Sequence, residues 1–244
     1  MDAETVRTYF SSEPVLEHYR QATGQVGLWD SEEKIFCRVF QCEDTLLELG
    51  CGTGRIAFGL AELGFKNVMG TDFSRAMVTE ARRLAQLMEL HLPFQVADAT
   101  ALPFEDGLFD GAIFGFNGLM QIPGSDNRKQ AMREIRRVVR PGGWFVFTSH
   151  DREATQKGFW KKERLRWRKG QQAPELQEFG DRYEKDDLGQ LFIHVPAPEE
   201  VRAALKETGW RLEADVMRGQ LANERPEVRA FADECRFWVA QNPG

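Results

Sequence analysis

Three glycines at alternating positions, Gly50, Gly52 and Gly54, follow directly after the apolar run 45–49. Glycine adopts positive φ at little cost and has no Cβ, so its backbone N–H groups can come within hydrogen-bond distance of a ligand. A helix is predicted to begin at Arg55, with its unpaired N–H groups facing the same place. Such a turn binds carboxylates, phosphates or riboses, and it therefore predicts a nucleotide-like ligand.

A second chemical group is the carboxylate of Asp72, which ends the strand-like run 67–72. It lies 20 positions after Gly52, which is where a carboxylate accepts hydrogen bonds from ribose hydroxyls in nucleotide-binding α/β proteins. Residues 52–57 also fit the G-x-G-x-x-G/A pattern of dinucleotide-binding proteins. These residues alone leave open a nicotinamide dinucleotide and other adenosine-containing cofactors.

Further motifs follow in order along the chain. They are Glu48 within the first strand, Asp72-Phe73-Ser74, Asp98-Ala99, Leu102-Pro103-Phe104 leading to Phe109-Asp110, and Arg140-Pro141-Gly142-Gly143. Together with the glycine turn, they resemble the class I S-adenosylmethionine-dependent methyltransferases over about residues 40 to 150. A nicotinamide-linked oxidoreductase is less favoured, because it has no assigned role for Asp98-Ala99, the Pro-Gly-Gly element or a C-terminal hairpin.

The resemblance implies that S-adenosylmethionine is the cofactor. The glycine turn would line the methionine part of this cofactor, with contributions from Gly50, Cys51, Gly52 and Gly54. Asp72 would hold both ribose hydroxyls. Glu48 would orient the turn or reach the ligand through water.

The same resemblance implies positions for the adenine and for the reacting end of the cofactor. Phe73 and Met77 would flank the adenine ring. Asp98 would accept a hydrogen bond from the exocyclic amine, and Ala99 would offer its backbone. Asn117, at the end of the fourth strand, would face the methionine moiety.

The chemistry implied is direct displacement at a methyl group that is already activated on a sulfonium. The protein must then align the nucleophile and exclude water, and a general base is needed only for an acceptor that arrives protonated. His150 and Asp151 follow the fifth predicted strand at the carboxyl edge of the sheet, so they are candidates for a base or a substrate anchor. The weaker candidates are His194, Tyr183, His18 and Gln121.

The elements that must position these residues alternate between strand and helix, so we expect an α/β fold. This is a Rossmann-like, doubly wound, seven-stranded sheet, mostly parallel with an antiparallel C-terminal hairpin strand and with helices on both faces. Strands are predicted at 45–49, 67–72, 94–99, 109–116, 144–149, 210–217 and 236–240. Helices are predicted at 55–63, after the N-cap Ser74, at 126–140 and at 198–208.

The 244 residues suffice for a single domain, 1–244, with a large core. Residues 1–40 are expected to form an N-terminal helical cap over the cofactor. Residues 152–194 are expected to form an inserted lid over the substrate. The insertion joins a basic block at 152–169 to an acidic block at 175–187, and we expect the two blocks to fold against each other.

The composition limits which kinds of partner the protein is expected to bind. A net charge of −6 disfavours nucleic acid, although the basic block could serve as an RNA-facing strip. No apolar run approaches the about 20 residues of a membrane span, so we expect no membrane partner and a cytoplasmic location. The four cysteines lack paired spacing, which predicts neither a disulfide framework nor a metal site. The oligomeric state is open.

The sequence therefore predicts an S-adenosylmethionine-dependent methyltransferase that acts on a small-molecule acceptor. The accepting atom could be oxygen, nitrogen, carbon or sulfur. Two alternatives stay open, namely methylation of RNA or protein and a non-catalytic module that only binds the cofactor.

Overall fold

A computed structural model describes residues 3–186 and 188–244. The strands are β1 (Thr45–Leu49), β2 (Asn67–Asp72), β3 (Phe94–Val96), β4 (Phe109–Phe114), β5 (Val139–Ser149), β6 (Asp181–Asp186), β7 (Gly189–His194), β8 (Arg211–Met217) and β9 (Arg236–Gln241). Seven of them form a central sheet with the order β3-β2-β1-β4-β5-β9-β8, and β6 and β7 form a separate hairpin. The predicted doubly wound, mostly parallel sheet is confirmed.

The strand register brings the predicted motifs to one edge of the sheet. β1 pairs in parallel with β2 and with β4, so that Glu48 lies opposite both Gly70 and Ile113. β3, β2, β1, β4 and β5 all run the same way, whereas β9 is antiparallel to both of its neighbours, β5 and β8. The glycine turn after β1 and Asp72 at the end of β2 therefore meet at the carboxyl edge.

Helices cover both faces of the sheet. They are α1 (Ala3–Tyr9), α2 (Glu13–Gln25), α3 (Asp30–Val39), α4 (Arg55–Glu62), α5 (Arg75–Leu87), a 3₁₀ helix (Gly118–Gln121), α6 (Ser125–Val138), α7 (Lys157–Arg168), α8 (Pro198–Glu207), α9 (Arg218–Leu221) and α10 (Pro226–Phe231). Two apolar cores result, one on each face. Among the described helices, none is long and apolar enough to cross a membrane.

Several predicted boundaries were wrong. The strands expected at 94–99 and 109–116 end at Val96 and Phe114. The helix expected to run to Arg140 ends at Val138, and Pro141-Gly142-Gly143 lies inside β5 instead of preceding it. A residue before proline is pushed towards extended backbone, which ends the helix early. Gly142 then takes a φ of +81° within the strand, and its N–H donates to the Asn242 carbonyl at 2.7 Å.

The C-terminal strands are joined by more than a tight hairpin turn. β8 and β9 pair as predicted, but α9 and α10 lie between them in the chain. α10 thereby reaches back to the carboxyl edge of the sheet, where Phe231 faces the large cavity described below. Sequence periodicity does not predict these two helices, because both are shorter than two turns.

The insertion folds as α7 followed by the β6–β7 hairpin. The inner face of α7 packs through Trp160 and Trp167, whose ring centroids lie 6.0 Å and 6.1 Å from that of Phe179. The acidic residues Glu178 and Asp181 bond Arg128 and His194 instead of the basic helix. Contact between α7 and the segment after it is thus largely aromatic, in contrast to the expected pairing of charge blocks.

Candidate active site

A cavity of about 470 Å³ opens at the carboxyl edge of the sheet. One side is formed by the ends of β1 and β2 and by the loops that follow them. The other side is formed by α1, α2 and the segment after β4. Ligands of open α/β sheets bind at this edge, so the cavity is the candidate site.

The glycine turn forms the floor of the cavity. Gly50 and Gly52 take φ values of +60° and +54°, in the region that favours glycine. A Cβ at Gly50 would lie 2.7 Å from the Phe114 ring, and one at Gly52 would lie 3.6 Å from the Tyr19 ring. Cys51 also lines the cavity, and burial raises the pKa of its thiol. The floor therefore consists of backbone, and Cys51 is not a reactive thiolate.

Gly54 has a different role from the one that the resemblance implies. It is absent from the described lining of the cavity and begins α4 with a φ of +96°. A Cβ at this position would lie 2.8 Å from the Phe58 ring and 3.2 Å from the Phe94 ring. Gly54 therefore permits close packing of α4 against the sheet, because a larger residue would displace both rings.

Asp72 lies beside the glycine turn, and each of its carboxylate oxygens already accepts one hydrogen bond from a backbone N–H. Oδ2 accepts a hydrogen bond from the Gly52 N–H at 2.9 Å, and Oδ1 accepts one from the Ser74 N–H at 2.8 Å. Burial raises the pKa of Asp72 to about 6, although both N–H bonds oppose this. At pH 7 the group is therefore a carboxylate, and its remaining lone pairs can accept from hydroxyls in the cavity.

Glu48 is the most deeply buried acid of the site, at 2% exposure. Its Oε2 atom has no hydrogen-bond partner within the described residues. Burial raises the pKa of Glu48 to about 8, against the opposing charge of Arg55. Burial therefore favours the protonated form of Glu48, and a ligand in the cavity that this residue lines would give Oε2 a partner.

Phe73, Met77, Asp98 and Ala99 line the same end of the cavity. Asp98 Oδ1 accepts hydrogen bonds from the Thr100 N–H at 2.8 Å and the Thr100 hydroxyl at 2.7 Å, which fixes the carboxylate. The adenine-side residues implied by the resemblance thus come together around one slot.

Arg7 of α1 also lines the cavity, and sequence reasoning missed it. Its guanidinium carbon lies 4.0 Å from the centroid of the Phe73 ring, in a cation–π contact. The signal that could have indicated it is weak, since a single arginine in a polar N-terminal segment has no distinctive spacing.

The far wall of the cavity is aromatic and comes from distant parts of the chain. Phe10 and Tyr19 belong to the N-terminal segment, Phe116 follows β4, and Phe231 ends α10. Their rings form a continuous series, with centroid distances of 5.9 Å (Phe10–Tyr19), 6.1 Å (Tyr19–Phe116) and 5.2 Å (Phe116–Phe231). Such a wall suits an apolar, planar ligand.

Asn117 and His150 form a pair outside the cavity. His150 Nδ1 donates to the Glu234 carbonyl at 3.0 Å, so Nε2 accepts from Asn117 Nδ2 at 3.2 Å. His150 lines a separate cleft of about 170 Å³. Among the described residues lining the large cavity, neither of the two appears, in contrast to the roles expected for them. Asn117 takes a left-handed φ of +59°, and its Nδ2 donates to His150, whereas its buried Oδ1 has no partner among the described residues.

Asp151 is held in a structural ion pair. It is 2% exposed, and its Oδ2 accepts from Arg236 Nη2 at 2.8 Å. Its Oδ1 accepts from the N–H groups of Glu153 and Ala154 at 2.8 Å and 3.2 Å. The carboxylate therefore ties the end of β5 to β9, and it does not reach the cavity as a base or anchor.

Of the weaker candidates, Gln121 lines the cavity, whereas His194 does not appear in its described lining. His194 Nδ1 donates to Asp181 Oδ1 at 2.8 Å, and its Nε2 lies 3.4 Å from Glu200 Oε2, so it joins the hairpin to α8.

Although Glu178, Asp181 and His194 could geometrically hold a metal ion, the two carboxylates already accept hydrogen bonds from protein donors. We therefore assign this cluster a structural role.

Residues 47–147 match the protein family described as "Methyltransferase domain". Among curated proteins, the chain is similar to a demethylmenaquinone methyltransferase of Thermus thermophilus, with 39% identity over 104 residues, or 41% of this chain and 44% of the relative. It is also similar to a 2-phytyl-1,4-naphtoquinone methyltransferase of Synechocystis, with 40% identity over 103 residues, or 41% of this chain and 42% of the relative. The chain thus spans less than half the length of these relatives.

A solved S-adenosylmethionine-dependent methyltransferase from Methanosarcina mazei has the same fold, with a TM-score of 0.70 and 22% identity. The match covers 85% of this chain and 96% of that chain. At this identity the similarity concerns the fold alone, and it covers a larger share of this chain than the family match does.

Proposed function

We propose that this chain, which carries a class I S-adenosylmethionine-dependent methyltransferase domain, transfers a methyl group from that cofactor to a small acceptor with an apolar, planar part. The observation that carries the proposal is a single cavity with two unlike walls. One wall has the backbone of the glycine turn and the Asp72 carboxylate, and the other has the rings of Tyr19, Phe116 and Phe231.

The polar wall fits the cofactor. Gly50 and Gly52 both line the cavity. A side chain at Gly52 would extend towards Tyr19 into the space that the methionine part needs, whereas a Cβ at Gly50 would clash with the Phe114 ring. Asp72 would accept from the ribose hydroxyls, and the buried Oε2 of Glu48 would gain a partner. Phe73 and Met77 would flank the adenine. S-adenosylmethionine supplies a methyl group that the positive sulfonium activates towards displacement.

The aromatic wall supports an apolar acceptor. Rings that pack edge-on or stacked against a planar ligand orient it and exclude water from the displacement. The named relatives act on naphthoquinone-type compounds, which have this character. None of the described histidines lines the cavity, so the proton that a reduced naphthoquinone loses on methylation would pass to a carboxylate of the lining. The chain's other contribution is to orient the acceptor and to keep bulk water out.

The test is titration calorimetry of the purified chain with S-adenosylmethionine, S-adenosylhomocysteine and NAD, followed by an assay of labelled methyl transfer. We expect micromolar binding of the first two ligands and transfer to a reduced naphthoquinone in preference to RNA. If the chain binds NAD but neither of the other two ligands, the proposal is refuted, including the assignment of the glycine turn to S-adenosylmethionine. Cofactor binding without transfer to any member of a small-molecule panel would favour the non-catalytic module, and transfer to RNA that weakens with added salt would favour an RNA methyltransferase.

A further inference from the structure

Helix α7 is strongly basic in an otherwise acidic protein. In its twelve residues the helix has six bases, Lys157, Lys161, Lys162, Arg164, Arg166 and Arg168, against the single acid Glu163. The whole chain has a net charge of −6. Charge separated in this way indicates a surface that meets an anionic partner.

The helix has two distinct sides. Trp160, which is 5% exposed, packs inwards, and the Glu163 side chain is 15% exposed and paired with Arg166. Leu165, in contrast, is 51% exposed. Residues three and four positions away lie beside it on the helix surface, and here they are Lys161, Lys162, Arg168 and the following Lys169, all exposed. A large apolar side chain therefore projects from the centre of a ring of cations.

A second exposed ring extends this surface. Phe159 is 41% exposed and lies one turn before Lys162. The Arg182 guanidinium of the neighbouring hairpin lies 5.4 Å from the centroid of its ring. The outer surface thus combines two apolar side chains with cations on a rigid helix.

We propose that the outer face of α7 binds the surface of an anionic lipid bilayer. Clusters of four to eight Lys and Arg on an amphipathic helix attract acidic headgroups, and exposed Leu and Phe among them enter the boundary of the acyl chains. This inference concerns docking on a surface, which needs no membrane-spanning helix, and it does not depend on the proposed reaction.

The position of the aromatic rings favours lipid over nucleic acid. Single-stranded nucleic acid is bound by exposed aromatic rings on which bases stack. Trp160 and Trp167 of α7 are instead turned towards Phe179. The Arg182 guanidinium already lies over the exposed Phe159 ring, and the central exposed apolar residue is Leu165, which cannot stack. An aliphatic side chain surrounded by cations matches a layer of phosphates above hydrocarbon.

Docking at α7 would also place a surface contact close to the cavity. The β6–β7 hairpin follows α7, and β7 contacts both α1 and the 3₁₀ helix. Those two segments supply Val6, Arg7 and Gln121 to the cavity lining. A bilayer bound at α7 would thus lie next to the elements that support the aromatic wall.

The test is flotation of the full chain with vesicles of phosphatidylcholine alone and of phosphatidylcholine with phosphatidylglycerol. We expect binding only to the anionic vesicles and a loss of at least about tenfold in the combined variant Lys161→Gln, Lys162→Gln, Arg168→Gln and Lys169→Gln. A matched variant neutralises four exposed bases elsewhere, Arg38, Lys66, Arg75 and Lys206, and should bind like the parent chain.

Two further measurements keep the proposal open to refutation. Leu165→Ser, a surface change that leaves the inner face of α7 intact, should weaken binding by about threefold to tenfold at constant charge. Absence of binding to anionic vesicles, equal loss in the two four-base variants, or tighter binding to single-stranded RNA than to the vesicles would each overturn the proposal. Circular dichroism of each variant checks that the helix is retained.

Discussion

The two walls of the cavity differ in how the chain builds them. The polar wall comes from β1, β2 and the turns directly after them, so its groups lie close together in sequence. The aromatic wall joins rings from α1–α2, the end of β4 and α10, which are up to about two hundred residues apart. Backbone geometry fixes the first wall, and tertiary packing assembles the second. We expect changes in the first to affect cofactor affinity and changes in the second to affect acceptor affinity.

The largest effect should come from Gly52→Val. A β-branched residue at a φ of +54° is strained, and its side chain would enter the cavity beside Tyr19. We expect S-adenosylmethionine affinity to fall by more than about 100-fold in calorimetry. Gly64→Val is the matched control, because Gly64 also has a positive φ, +92°, but a Cβ there would meet no atom within 4 Å. Equal losses in the two variants would show that the turn is merely structural.

Removal of the Asp72 carboxylate should have the next largest effect. Asp72→Ala removes the acceptor for the ribose, and we expect binding to weaken by about 1.5 to 3 kcal/mol. The control is Asp110→Ala, which also removes a carboxylate that accepts from a backbone N–H, here that of Thr45 at 2.8 Å, but outside the cavity lining. Unchanged affinity in the Asp72 variant would refute its role at the ribose.

The pH dependence of binding should be moderate and have a definite sign. Because burial raises the pKa of Asp72 to about 6, the group becomes protonated as the pH falls through that value and loses acceptor capacity. We expect cofactor affinity to decline on acidification below about pH 6, approaching tenfold per pH unit. In Asp72→Asn, which cannot titrate, calorimetry over the same range should show a nearly flat profile, and a parallel decline there would assign the titration to another group.

The aromatic wall should give a smaller effect of a different kind. Phe231→Ala removes a ring that stacks on Phe116, so we expect the KM for a naphthoquinol acceptor to rise by about threefold to tenfold while the Kd of S-adenosylmethionine stays within twofold. Phe231→Leu keeps most of the apolar volume and should lie between the two. An equal change in cofactor affinity would remove the distinction between the walls.

The smallest effect should come from His150→Ala. Both ring nitrogens are engaged, with the Glu234 carbonyl and with Asn117, and the side chain faces the separate cleft. We expect steady-state turnover at pH 7 to stay within about twofold of the parent enzyme. A loss of several orders of magnitude with unchanged cofactor affinity would return His150 to the reaction.

The two walls also differ in how far the sequence predicted them. Gly50 and Gly52 follow the predicted strand 45–49, Asp72 ends the predicted strand 67–72, and the resemblance implied Asp98 near the end of the predicted strand 94–99. Parallel strands bring such ends to one edge. Gly54 belongs to the same motif but faces the Phe58 and Phe94 rings. The spacing predicts that glycine is required there, whereas only the packing shows whether a ligand or a side chain requires it.

His150 and Asn117 illustrate the opposite case. Both lie at strand ends, as a site residue should, yet backbone direction turns them away. Asn117 is turned by its left-handed φ of +59°. His150 is held by the Glu234 carbonyl, which lies in the long connection between β8 and β9. Neither has a signal in the local pattern of residue types, since a left-handed non-glycine residue is selected by its surroundings.

The sequence by itself determined the sheet, its motifs and the polar wall, because strand periodicity, glycine conformation and the position of acids after strands are local properties of the chain. Tertiary structure alone decided which rings face the cavity, that α10 contributes Phe231, and that Asp151 is held by Arg236. Those features depend on contacts between residues far apart in the chain, and such contacts follow from close packing in three dimensions instead of from spacing along it.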